Sequence, residues 1–170
     1  PEIEAGAEAI VVNASGCGAQ VKDYAHLLAD DPDYANKAAK VTELAVDPIE
    51  LLERHADALA PADGTPRRVA FQTPCTLQHA QKLNGRVDKL LARIGFELTP
   101  VPDSHICCGS AGTYSVLQPK LAEQLRTQKL DNLASGAPEL IATANIGCLV
   151  HLDEASDIPV RHWLELIQAA

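Results

Sequence analysis

The residues of this sequence best suited to chemistry are its five cysteines, Cys17, Cys75, Cys107, Cys108 and Cys148. Four of them combine with a histidine in the pattern C-x31-C-C-G-x38-C-x2-H, which runs from Cys75 to His151. Thiolates are soft donors that suit iron-sulfur clusters, zinc or copper(I), and an imidazole can share in such a site. Two adjacent thiols can face one centre if the backbone turns sharply, and Gly109, Gly112 and Gly147 permit such turns. The spacing alone leaves the metal open. A zinc site ordinarily shows two short C-x2-C hooks, and only Cys148-x2-His151 has that form. Cys107 and Cys108 also fit two other descriptions, small buried core residues or a vicinal redox pair with depressed pKa values.

Other polar groups near these thiols have plainer readings. His79 and His105 are close in sequence to Cys75 and Cys107 and are expected to be outer hydrogen-bond donors or surface residues. Ser110 and Thr113 stand where a helix begins and are expected to cap it. The run Asp30-Asp31-Pro32-Asp33 lacks the spacing of a calcium loop and reads as a solvated turn. No Ser-His-Asp, phosphate-cradling or paired-carboxylate pattern stands out.

The elements that must position the thiols follow from hydrophobic period and turn residues. Ala9 to Asn13, Arg68 to Gln72, Phe96 to Val101 and Leu140 to Ala144 read as short buried strands. Helical spacing covers Val21 to Leu28, Tyr34 to Val46, about His79 to Ile94, and a stripe of Leu117, Leu121, Leu125, Leu130 and Leu133 that is expected to be buried. Asp47-Pro48-Ile49-Glu50 predicts a helix start with a capping box. A helical turn is expected at Leu149 to Glu154, an extended piece at Pro159-Val160 and a closing helix from His162 to Ala169. Strands alternating with helical crossovers imply a parallel sheet in a layered, Rossmann-like α/β fold. Each cysteine segment then follows a strand's carboxyl end, with Cys17 in the loop after the first. Such an edge is where open α/β sheets bind ligands.

An internal repeat adds to this organisation. Gly6 to Cys17 aligns without gaps on Ala137 to Cys148, sharing a Glu, an apolar pair and Gly-Cys. Residues 1–60 thus read as the tail of a first repeat plus a helical connection, and residues 61–170 as a complete second repeat. A chain that opens on Pro1 and contains no methionine reads as part of something longer.

Composition narrows the partners. With 170 residues, 46% of them hydrophobic, the chain can bury a core without disulfides, and five cysteines, two of them adjacent, fit reduced thiols better than a paired framework. A net charge of −9 with scattered basic residues argues against nucleic acid and anionic lipid. No apolar run approaches the roughly 20 residues that cross a bilayer.

Five segments carry a resemblance. Ala14-Ser-Gly-Cys-Gly18, Pro74 to Leu83, Pro102 to Tyr114 with its Cys-Cys-Gly core, Thr143 to Cys148 and Val160-Arg-His-Trp163 resemble the cysteine-rich CCG domains. These occur in heterodisulfide reductase and in the iron-sulfur subunits of flavin-linked 2-hydroxy acid dehydrogenases, and the wording is most similar to the glycolate oxidase (glycolate dehydrogenase) group. The resemblance implies a non-catalytic electron-transfer subunit that takes electrons from a flavin-containing subunit oxidising glycolate to glyoxylate and passes them towards the quinone pool. It implies a cytoplasmic location, peripheral at the inner membrane. Members of the group also carry an amino-terminal ferredoxin-like part, whose spacing is absent here.

By motif, the resemblance carries a [4Fe-4S] cluster, noncubane in heterodisulfide reductase, onto Cys75, Cys107, Cys108 and Cys148. His151 stands where a fifth cysteine is expected, a substitution that also suits zinc. Cys17, followed by Gln20 at the corresponding place, is expected to be the surviving ligand of the incomplete repeat and to sit apart. The alternative is a zinc-binding or metal-free structural module that docks the flavin subunit.

Overall fold

A computed structural model of the chain describes all residues from Pro1 to Ala170. In chain order the first half comprises strand β1 (Ile10–Val11), helices α1 (Ser15–Lys22), α2 (Tyr24–Leu27) and α3 (Ala35–Leu44), strand β2 (Ala45–Val46), helix α4 (Pro48–Leu52) and strand β3 (Leu59–Pro61). Then follow β4 (Arg68–Gln72), α5 (Arg86–Arg93), β5 (Glu97–Leu98), α6 (Tyr114–Leu117), α7 (Pro119–Ala134), β6 (Leu140–Thr143), α8 (Ile146–Asp153), β7 (Val160–His162) and β8 (Ile167–Ala169).

The central sheet has the order β5-β4-β6-β7 with every pair parallel. The alternation of side chains along its strands divides the core into two. Val69, Phe71, Leu140 and Ala142 point to the side of Val87, Leu90, Leu91 and Trp163, whereas Ala70 and Ile141 point to the side of Leu133, Leu152, Cys108 and Cys148. Helices thus cover both faces, as a buried parallel sheet requires. The chain leaves β4 towards β5 on one side and returns to β6 on the other, so the topological switch lies between β4 and β6. Cys75 follows β4 and Cys148 follows β6, which sets them on either side of that crevice.

The strand expected at Arg68 to Gln72 has those bounds and that at Leu140 to Ala144 ends one residue early, whereas those at Ala9 to Asn13 and Phe96 to Val101 shorten to two residues each and several helices shift. The capping box at Asp47 is present, with Ile49 N–H donating to its carboxylate at 3.1 Å and the Glu50 carboxylate accepting from Asp47 N–H at 2.8 Å. The helix expected to reach Val46 stops at Leu44, because Ala45–Val46 pairs in parallel with β1. The helix expected from His79 divides into a π-type turn at Thr76–Ala80 and α5, with Gly85 in the left-handed region between them. The closing helix is only a 3₁₀ turn at Trp163–Leu166, after which β8 runs antiparallel to β3, a pairing between segments too short to show a period.

The leucine stripe needs the largest correction. Gln118 leaves helical geometry and separates α6 from α7, so Leu117 and Leu121 are exposed. The face of α7 that turns inward keeps the expected Leu133 and adds Ala122 and Lys129.

A second capping box, at His162, joins the amino-terminal segment to the rest. Leu164 N–H donates to His162 Nδ1 at 3.3 Å, so the proton lies on Nε2, which donates to the Asn13 carbonyl at 2.9 Å. Burial lowers the imidazole pKa below its ordinary value, opposed by the Asn13 carbonyl and by Glu165. A lowered folded pKa means that the neutral ring stabilises the fold at pH above the unfolded value of about 6.5. That contribution is lost as pH falls through the folded value. Thermal unfolding of wild type against His162→Asn, which keeps a capping side chain, should therefore show the wild type losing its advantage between pH 7.5 and pH 5. The difference isolates His162 from Asp47 and Asp88, whose pKa values burial raises and which work in the opposite sense. A pH-independent difference would contradict this assignment.

Candidate metal centre

Four of the five thiols come together at the carboxyl edge of the sheet. Cys75 and Cys107, Cys107 and Cys108, and Cys108 and Cys148 are pairs near enough to perturb one another's ionisation, so the sulfurs follow one another as a string at the crevice. Cys108 and Cys148 are buried, while Cys75 and Cys107 are half-buried. All five cysteines are free thiols.

Protons are distributed unevenly along the string. The pKa of Cys107 is pushed down, first by the hydrogen bond from Cys108, then by that from Cys75, with a further contribution from Gly109 N–H, which donates to its Sγ at 3.4 Å. That of Cys148 is pushed down first by Cys108 and also by the Asn145 amide, whose Nδ2 lies 3.6 Å from its Sγ. The pKa of Cys75 is raised because its thiol donates to Cys107 and because it is partly buried. Cys108 is raised for the same kind of reason, between Cys107 and Cys148. A neighbouring thiol and a fixed N–H donor thus both favour the thiolate form at Cys107 and at Cys148. Deprotonated soft sulfur is the form that binds metal.

The backbone that carries Cys107 and Cys108 is unusual. Between residues 103 and 112, Asp103, Gly109, Ala111 and Gly112 all have positive φ. For Asp103 and Ala111 this is a strained conformation that the surroundings must hold in place. Gly109 sits at φ +94°, and a Cβ built there would lie 2.4 Å from the Ala122 carbonyl oxygen and 3.1 Å from His151 Nε2. The close atom is backbone of α7, so the contact constrains the residue at position 109 to glycine.

His151 lies one helical turn beyond Cys148 on α8 and points at the Cys107–Gly109 loop. Its Nε2 is buried and has no hydrogen-bond partner. An orphaned ring nitrogen facing the Cys-Cys-Gly loop fits a donor set that accepts a further group. His79 and His105 are exposed, in keeping with outer roles.

Cys17 does not join the string. It is the third residue of α1 rather than part of a loop, and its side chain is exposed. Yet its segment is anchored beside the other cysteine loops. Ser15 N–H donates to the Ala144 carbonyl at 3.1 Å, the Ser15 and Thr76 hydroxyls are 2.8 Å apart, and Gly16 N–H donates to Asn145 Oδ1 at 3.1 Å.

Two features of the site escaped sequence reasoning. Asn145 ties Cys148 to the Cys17 segment, and Lys129 lies wholly buried on α7 beneath the Cys107 loop. A lysine at i+7 from Ala122, on the apolar side of a helix, was the available signal for the second.

A parallel α/β layer with thiolates strung across its switch point defines a cysteine-rich, metal-binding class of domain. The chain belongs to the CCG family, whose cysteine-rich domain profile matches residues 69–153. Among curated proteins it is 57% identical, over all 170 residues, to the glycolate oxidase iron-sulfur subunit of Escherichia coli (strain K12), covering 42% of that protein. It is 32% identical over 147 residues to the probable glycolate oxidase iron-sulfur subunit of Bacillus subtilis (strain 168), covering 85% of this chain and 33% of that one. It is 30% identical over 155 residues to lactate utilization protein A of Geobacillus thermodenitrificans (strain NG80-2), covering 87% of this chain and 62% of that one. The chain therefore spans less than half the length of the two glycolate oxidase relatives. No helix is long and apolar enough to cross a membrane.

Proposed function

We propose that this chain is the cluster-bearing part of an electron-transfer iron-sulfur subunit of a flavin-linked glycolate dehydrogenase. The observation that carries the reading is the convergence of four free thiols, from loops far apart in sequence, at the switch point of the sheet. Names of relatives at 57% and 32% identity agree with it. Cys75, Cys107, Cys108 and Cys148 would hold the cluster, with His151 as a fifth ligand through its unpartnered Nε2. When bound, an iron-sulfur cluster supplies one-electron oxidation and reduction without atom transfer. The chain's own residues supply the thiolates, the Gly109 and Asn145 donors that stabilise negative sulfur, and a partly buried setting that limits solvent.

The number of donors supports a multi-iron cluster over a single zinc ion. Four thiols and an imidazole are one donor more than a tetrahedral zinc ion takes. A string of sulfurs suits a cluster, in which separate ligands bind separate iron atoms. Electrons would come from a flavin-containing partner subunit and leave towards quinone, at the cytoplasmic face of the inner membrane.

The amino-terminal segment is, in this reading, the end of a first CCG repeat, with residues 61–170 the second. Its support is the matched order of parts. The first series is β1, α1 with Cys17 as third residue, parallel β2 and the capping box at Asp47. It corresponds in turn to β6, α8 with Cys148 as third residue, parallel β7 and the capping box at His162. Cys17 is then a ligand position belonging to that first repeat.

Anaerobic reconstitution followed by iron, sulfide and zinc analysis of wild type and Cys107→Ser tests the proposal. The expected result is a brown wild-type protein with about four irons per chain and a colourless variant. Colourless protein holding stoichiometric zinc would reject it in favour of a structural zinc module.

A further inference from the structure

Lys129 is fully buried on α7, and its Nζ donates to the Ser104 carbonyl at 2.7 Å. No carboxylate pairs with it, although the other cation near this face, Arg126, is matched by Glu154 at 2.9 Å and donates to the His151 carbonyl. A buried ammonium without a counterion is costly, and proteins keep one where another anion offsets it. The helix also explains its placement. Ala122 receives Gly109 and Lys129 receives Ser104, two turns apart on one face, so α7 grips the loop on both sides of Cys107 and Cys108.

We propose that Lys129 is a positioning and charge-compensating residue for the thiolate site, which fixes the Cys107 loop and raises the reduction potential of the cluster that the site holds. Reduction adds one negative charge to the site, and a fixed cation in a poorly screened interior favours that added charge. The direction of the neighbouring influences agrees. Burial lowers the lysine pKa, while Cys108, Cys107, Cys148 and Asp103 pull it back up. Lys129 touches no reacting group that the structure holds and acts through the loop and through its field.

The inference rests on the cluster reading above, and the experiment separates the two. Wild type, Lys129→Gln, Lys129→Met and Lys129→Arg are reconstituted anaerobically, checked for fold by circular dichroism, and titrated with dithionite while the cluster is followed by visible absorption and electron paramagnetic resonance. Gln keeps a donor for Ser104 without the charge, Met removes both, and Arg keeps the charge. Loss of the charge should make one-electron reduction about tenfold less favourable, a shift of about −59 mV, in both Gln and Met variants, with Arg returning most of it. Loss of iron from folded Gln and Met variants but not from Arg would support the same role, through assembly. Loaded variants with unchanged potentials would overturn the role of Lys129 alone, as would loss of iron in all three, which marks a purely steric post. Wild type that takes up no iron would overturn the cluster reading and this inference together.

Discussion

Replacing Cys108 by serine is expected to abolish cluster binding, with iron falling from about four per chain to near zero, whereas Cys17→Ser should retain it. Cys108 is 2% exposed and stands inside the sulfur string, between Cys107 and Cys148. Its loss interrupts the ligand set at a buried position that neighbours two other ligands. A serine hydroxyl is a harder donor that stays protonated near neutral pH and replaces thiolate poorly on iron. Volume changes little, so the thermal midpoint of the metal-free variant should stay within a few degrees of the wild type. Cys17, exposed and away from the string, offers the internal control. Iron and sulfide analysis with the visible spectrum checks both. Equal iron content in the two variants would contradict the ligand assignment.

Gly109→Ala should be the most damaging small substitution near the centre. Two costs coincide there. At φ +94° an L side chain is strained by about 1–3 kcal/mol. The added methyl would also lie 2.4 Å from the Ala122 carbonyl, a backbone atom that cannot rotate away. Loop and helix must separate, which removes the Gly109 N–H from Cys107 Sγ and shifts the setting of His151. A loss of about 3 kcal/mol in total corresponds to a midpoint roughly 6–12 °C lower in a chain of this size. Calorimetry measures the stability, and iron retention after desalting measures the site. Gly112→Ala is the comparison, since that residue also has positive φ but nothing lies within 4 Å of the added methyl. Its smaller effect would isolate the clash from the strain.

Much of the scaffold was legible because its signals are local. Val69 to Phe71 and Leu140 to Ala142 are continuous apolar runs, the mark of strands covered on both faces, and both are central in the sheet. Asp47-Pro48-Ile49-Glu50 announced its capping box because every atom involved lies within four residues. Leucine spacing misled around Leu117 because a helix period cannot tell which face meets the sheet. The break at Gln118 resets the helix, and α7 buries Ala122 and Lys129 along with Leu133. The β3–β8 pair was illegible for another reason, since strands of three residues carry no period and find each other only after the chain has folded.

Residue order alone established the donor set and its succession along an α/β chain. Thiol chemistry belongs to residue type, and the placement of each cysteine after a strand follows from short-range patterns. Tertiary structure decided which donors meet. It joined Cys75, Cys107, Cys108 and Cys148 into one string and left Cys17 outside. It also aimed the His151 ring at the Cys-Cys-Gly loop and put the charge of Lys129 beneath it. The physical reason is range. The segments of Cys75, Cys107/Cys108 and Cys148 lie 32 to 73 positions apart, and no local interaction could bring them together. They meet because the order β5-β4-β6-β7 opens a crevice where loops from three strands end.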